Sequence, residues 1–203
     1  MAPQNPVIFV LGPPGAGKST LSARLTEKFP VQHISAGDLI RRIVKNSTAQ
    51  VKAGTITSML SKQELIHAKV LVPILKNELE DSESREQGRR VILVDGFPRR
   101  LAQQREFEEK VTEPILVLFF NCPKEIAKQR YLTRKLEGRE ADDEAKFEKR
   151  YDKYLQDNTD LVREYRERGL LLEVDTSKGA SESWERLCYS LEKDIKWMNV
   201  IHS

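Results

Sequence analysis

Residues 7–20, VIFVLGPPGAGKST, constrain this chain more than any other stretch. An apolar run, Val7 to Leu11, stops at Gly12. The pattern Gly12-x-x-x-x-Gly17-Lys18-Ser19 follows and leads into the amphipathic run Leu21 to Phe29. Strand, glycine-rich loop and helix is the setting in which this pattern, the P-loop, cradles a polyphosphate. Gly12, Gly15 and Gly17 let the backbone turn tightly and bring N–H groups towards phosphate oxygens. The helix start adds partial positive charge at the same point. Lys18 is of a length to reach β- and γ-phosphates, and Ser19 offers a hydroxyl to Mg²⁺. The stretch therefore implies binding of a nucleoside triphosphate.

The rest of the chain repeats the alternation that this opening starts. Continuous apolar runs at 91–94 and 115–120 fit strands covered on both faces, and shorter ones at 31–34 and 170–174 complete a set of five with 7–11. Amphipathic helical stretches lie between them, notably 101–110, 123–134, 144–168 and a closing helix at 181–200. Strand–helix alternation of this kind predicts an α/β protein with a parallel sheet and helices on both faces. Residues 46–80 read as helical with breaks near 46–49 and Gly54, and 81–90, DSESREQGRR, as a charged surface loop. In open sheets of this class ligands sit beyond the carboxyl ends of strands. Asp95 ends the run 91–94, so it is placed to approach the Mg²⁺ of a nucleotide held by the P-loop.

Composition excludes several alternatives. With 34 basic against 31 acidic residues the formal net charge is only +3, too little for a general nucleic-acid binder, so any functional positive field must be local. Cys122 and Cys188 are the only cysteines and sit in no metal-ligand spacing; a reducing compartment is the simplest reading. The first residues, MAPQNP, do not read as a signal or transit peptide. The longest apolar run, Ile115 to Phe120, is far too short to span a membrane. The expectation is a cytoplasmic monomer, with the nucleus as the alternative compartment, acting on small nucleotides without nucleic-acid or membrane partners. His33, His67 and His202 match no motif and read as structural or solvated.

Four ordered motifs carry a resemblance: GPPGAGKST at 12–20, SAGDLIR at 35–41, DGFPR at 95–99, and arginines spaced through 130–150. Together they resemble the nucleoside monophosphate kinases of the adenylate kinase family, nearest the uridylate/cytidylate branch, from about Val7 to Ile195. The resemblance implies a single P-loop NTPase domain over 1–203, with a helical NMP-binding lobe at 36–80 and a short lid at 135–143. It implies that Gly15, Ala16, Gly17, Lys18, Ser19 and Thr20 cradle the donor ATP. Arg134 would meet the donor phosphates, and the backbone at Lys178 the donor adenine. Ala36, Arg41, the segment Glu64-Leu65-Ile66, the turn Gly96-Phe97-Pro98-Arg99, and Gln103 would hold the acceptor. Arg139 and Arg150 would reach the acceptor phosphate and the moving phosphoryl group. Lys18, Arg99, Arg134, Arg139 and Arg150 would form the catalytic set, with Mg²⁺ on Ser19 and, through water, Asp95. Asp142 and Asp143 resemble the lid's paired carboxylates.

Such an excess of guanidinium groups suits phosphoryl transfer, which needs in-line placement and cations rather than covalent help. The acceptor phosphate is already ionised, its second pKa being about 6, so no general base is required. Closure of the two lobes would keep water out.

The sequence departs from the family pattern at four places. Ser19 stands where many relatives have glycine. Two residues, Glu140 and Ala141, separate Gly138-Arg139 from Asp142-Asp143 instead of one, and the stretch from Arg134 to Arg139 is one residue short. The segment usually reading Gly-x-x-Val-Pro is Gln63-Glu64-Leu65-Ile66-His67. Ala36 replaces the threonine of adenylate kinases, as in the uridylate branch. The expected activity is ATP-dependent phosphorylation of UMP or CMP, a step of pyrimidine nucleotide biosynthesis. Adenylate kinase activity is the alternative, and an impaired nucleotide-binding paralogue a third reading. A GTPase switch is disfavoured because no Asn-Lys-x-Asp sequence is present.

Overall fold

A computed structural model of the chain describes residues 5–46, 66–85, 91–134 and 143–202. Among them a five-stranded parallel sheet runs in the order β2-β3-β1-β4-β5. The strands are β1 (Val7–Leu11), β2 (Val31–Ser35), β3 (Val91–Asp95), β4 (Leu116–Asn121) and β5 (Leu171–Asp175). Each of the last four extends one residue past the apolar run that predicts it, ending on Ser35, Asp95, Asn121 or Asp175. A strand's hydrogen-bond ladder is indifferent to side-chain polarity, so polar residues close the strands at the edge where ligands bind.

The strands β1, β3 and β4 are hydrophobic at successive positions because both sheet faces are covered. Alternate residues point to opposite sides. Val7, Phe9, Leu11, Ile92 and Val94 join one core with α2 (Ala36–Asn46), α3 (Ala68–Arg85), α4 (Leu101–Lys110) and part of α6 (Glu144–Glu167). Ile8, Val10, Val91 and Leu93 join the other, with α1 (Lys18–Lys28), α5 (Lys124–Thr133), α7 (Ala180–Lys193) and α8 (Ile195–Ile201). On the first face Phe9, Phe97 and Phe107 are fully buried and meet pairwise at centroid distances of 5.2–5.7 Å. Each such pair contributes about 0.5–1.5 kcal/mol beyond its buried area. The cluster seats the turn after β3 firmly on the sheet.

Two expectations need correction. The charged stretch 81–85 is helix, not loop: α3 continues to Arg85, because Leu79 and Ser82 still face the core. The closing helix is broken in two at Asp194. Its side chain accepts the N–H of Trp197 at 2.9 Å and so caps a new helix, which turns Trp197 and Ile201 into the core. Within the stretch 36–80, for which a nucleotide-binding lobe is expected, residues 36–46 and 68–80 are helical and 66–67 lead into the second helix. Residues 47–65, with Glu64 and Leu65, and residues 135–142 of the expected lid, with Arg139 and Asp142, lie outside the described residues. No helix among the described residues is long and apolar enough to cross a membrane.

Candidate active site

The site begins where β1 and β3 lie side by side. Val10 is opposite Asp95 in register, and Asp95 is also opposite Ser35 of β2. The loop leaving β1 therefore opens beside the carboxylate ending β3. Along this loop Gly15 has φ +86°, and a Cβ built there would lie 2.0 Å from the carbonyl oxygen of Ala127 on α5. Only glycine satisfies both the left-handed backbone and that approach. Gly17, also left-handed, is the N-cap of α1 and supplies no side-chain acceptor. The first N–H groups of α1, at Lys18, Ser19 and Thr20, are thus left to an anion outside the helix. Ala16 is buried beneath the loop, its N–H on Pro13 O at 3.2 Å.

Lys18 Nζ donates to the carbonyl oxygens of Gly12 and Pro13, both at 2.9 Å, so the ammonium lies over the loop it belongs to. Loss of hydration brings its pKa down to about 8; Asp95 opposes this, while Arg99, Arg134 and Arg150 reinforce it. Ser19 Oγ donates to Asp95 Oδ2 at 3.3 Å. Asp95 is 5% exposed, and its Oδ1 is buried without a hydrogen-bond partner. Burial alone would raise its pKa; His33, Lys18 and Arg99 outweigh that and hold it below the ordinary aspartate range. A hydroxyl beside an ionised carboxylate with a spare oxygen is a hard-oxygen donor set, which fits Mg²⁺ bound partly through water. His33 is a residue that motif reading missed. From β2 its Nε2 comes within 3.8 Å of Asp95 Oδ2.

Arginines reach this point from the turn after β3, the end of α5 and the face of α6, and a fourth lies nearby on α2. Arg99 follows β3 in the turn Gly96-Phe97-Pro98-Arg99, whose Phe97–Pro98 peptide is cis. Its Nε donates to Gly96 O at 2.9 Å. Though solvent reaches it, protein surrounds it. Lost hydration, and next the charge of Arg150, push its pKa below the usual arginine range; Asp95 and Asp157 resist this, while Arg41 adds to it. Arg134 ends α5 and Arg150 projects from α6. Arg41, on α2, is paired with Asp38 one turn earlier. Like charges gathered at a strand-end edge are costly unless an anion joins them.

Some expected contacts are available only in part. The ring of Phe97 is buried in the core, so this residue offers the site its backbone. Pro98 is buried beside it. Gln103 is 3% exposed and already bonded at both ends of its amide, to Arg99 N and Ile66 O. Ala36, the first residue of α2, is likewise buried in the core. Lys178 is exposed, and its carbonyl accepts from Arg130 and, at 3.1 Å, from Ser183 Oγ. Arg130 also donates to Thr176 O at 2.7 Å and thereby pins the loop after β5 to α5. Asp143 Oδ1 caps α6 by accepting the N–H of Lys146 at 2.7 Å. Arg130 falls in the arginine-spaced motif without an assigned role, and Tyr131 is not among the sequence candidates.

Comparison with known proteins agrees with this geometry. The model of the family described as Adenylate kinase matches residues 10–170. The UMP-CMP kinase of Homo sapiens is 32% identical over 192 residues, covering 93% of this chain and 97% of that protein. That of Lentinula edodes is 35% identical over 184 residues, 87% of this chain and 81% of the other, and that of Gallus gallus 33% over 192 residues, 93% and 97%. A glycine cradle, a strand-end carboxylate and arginines from three elements, joined to a family match over most of the sequence, show that this chain belongs to the adenylate kinase family.

Proposed function

We propose that the chain transfers the γ-phosphoryl group of ATP to UMP or CMP, giving ADP and the nucleoside diphosphate. The observation that carries this is the gathering of Lys18, Arg99, Arg134 and Arg150 around the P-loop and Asp95, close enough that the three arginines lower the pKa of Lys18 and Arg150 lowers that of Arg99. Four cations at one strand-end edge match a reaction that brings together a triphosphate and a monophosphate. The relatives named UMP-CMP kinase support the pyrimidine acceptor. So does Ala36, which has no hydroxyl for a base edge.

In this reading Gly15 to Thr20 hold the donor phosphates through backbone N–H groups, and Lys18 leaves the loop carbonyls to follow the transferring group. Arg134 meets the donor phosphates, and the backbone at Lys178 the adenine. Residues 36–80 form the acceptor lobe, with Arg41 and Arg99 on the acceptor phosphate and Arg150 between the two substrates. Ser19 and, through water, Asp95 would hold Mg²⁺, which when bound would supply positive charge against the donor's phosphate oxygens. The attacking group is an oxygen of the acceptor phosphate, ionised near neutral pH, so the protein's task is alignment and charge neutralisation.

Initial rates with ATP–Mg²⁺ and UMP, CMP, dCMP or AMP test the assignment. A kcat/KM for UMP or CMP at least tenfold above that for AMP is expected. A preference for AMP would replace the pyrimidine assignment with adenylate kinase activity.

A further inference from the structure

Tyr131 lies on α5, three residues before Arg134, and is 1% exposed. Its ring packs against Phe147 of α6, centroids 5.4 Å apart. Unlike other core aromatics it also touches two site cations. Arg134 Cζ stands 4.1 Å from the ring centroid, and Arg150 Cζ 5.7 Å from it. Arg150 Nη1 donates to the phenol oxygen at 3.1 Å. One buried side chain thus meets an arginine of its own helix through its π face, and an arginine of the facing helix through both ring and hydroxyl.

Long arginine side chains near one another, and near Lys18 and Arg99, repel and would spread over many rotamers. An aromatic face attracts a guanidinium through its quadrupole, and a phenol oxygen accepts a directed hydrogen bond. A leucine here would fill the same core space and offer neither. We propose that Tyr131 is a positioning residue for phosphoryl transfer: its ring sets the direction of Arg134, and its hydroxyl that of Arg150. This rests on the functional reading above and adds to it a separation of tasks. The hydroxyl serves the transferring group through Arg150, and the ring serves donor binding through Arg134.

The test compares Tyr131→Phe, which removes only the hydroxyl, with Tyr131→Leu, which also removes the ring. The readouts are kcat and KM for the acceptor that the wild type uses, and the ATP Kd by calorimetry. Tyr131→Phe is expected to lower kcat about tenfold, the scale of a small misplacement of a catalytic group, with ATP Kd and melting temperature nearly unchanged. That loss should disappear in an Arg150→Ala background. Tyr131→Leu should weaken ATP binding about tenfold as well. Wild-type kcat in Tyr131→Phe, or the same fractional loss with and without Arg150, overturns the proposal. If Tyr131→Leu does not fold, the Tyr131→Phe and Arg150 comparison still decides. If the wild type phosphorylates no nucleoside monophosphate, the functional reading falls. The ATP affinity of the folded Tyr131→Leu variant, or of Tyr131→Ile in its place, then settles the role of the ring, an unchanged affinity overturning it.

Discussion

The side-chain oxygen of Gln103 accepts the backbone N–H of Arg99 at 2.8 Å, while the amide nitrogen of Gln103 donates to Ile66 O at 2.9 Å. One buried amide therefore ties the arginine turn after β3 to the segment that leads into α3. Gln103→Leu would keep the volume and strand two backbone groups, costing about 1–3 kcal/mol for each group left unpaired. Urea unfolding should register that loss. In the proposed reading both tethered segments serve the acceptor, so the KM for the acceptor should rise while that for ATP stays near its wild-type value.

Gly15 gives a sharper prediction for the donor side. With a Cβ at 2.0 Å from Ala127 O and φ +86°, Gly15→Ala must shift the loop or the first turns of α5. Calorimetry should show ATP affinity reduced by at least tenfold. Gly169→Ala, also at positive φ (+64°) but with open space around its Cβ, should cost about 1 kcal/mol in stability and leave ATP affinity intact.

The pKa of Lys18, about 8 in the folded chain against 10.5 for an ordinary lysine, makes donor binding pH-dependent. Lys18 is charged below pH 8 and neutral above it, and a triphosphate is drawn to the charged form. Above about pH 7, where the ATP phosphates are ionised, affinity should hold until about pH 8 and then fall by up to tenfold per unit, and this fall should vanish in Lys18→Met. Stability moves the other way. Between pH 8 and 10.5 the unfolded chain binds the proton that the folded chain has lost, so the Lys18 contribution to stability rises with pH across that window. Urea titrations of wild type minus Lys18→Met measure it.

Local sequence pattern picks out the residues whose positions the fold brings together. Lys18 and Ser19 sit in a loop motif, Asp95 ends an apolar run, and Arg99, Arg134 and Arg150 fall at motif positions. All of these meet at one edge of the sheet. What it missed depends on approach between elements distant in sequence. Tyr131 reads as one more apolar position of α5, and it is buried; its contact with Arg150 arises only once α6 packs alongside. His33 reaches Asp95 because β2 pairs with β3, an order that periodicity does not encode. The break at Asp194 was hidden because Leu191, Ile195 and Trp197 continue a plausible helical spacing across the cap. The helix at 81–85 was hidden by its charge, which outweighed the signal from Leu79 and Ser82.

The gathered cations are expected to move a phosphoryl group between two nucleotides instead of releasing it to water. Phosphorus NMR of ATP–Mg²⁺ with UMP or CMP tests this in one spectrum. Stoichiometric ADP and nucleoside diphosphate with negligible inorganic phosphate are expected, and for Arg99→Ala, folded as the wild type, a rate lower by about 10²–10³-fold. ATP consumed to ADP and inorganic phosphate without nucleoside diphosphate, or an undiminished rate in Arg99→Ala, would contradict it.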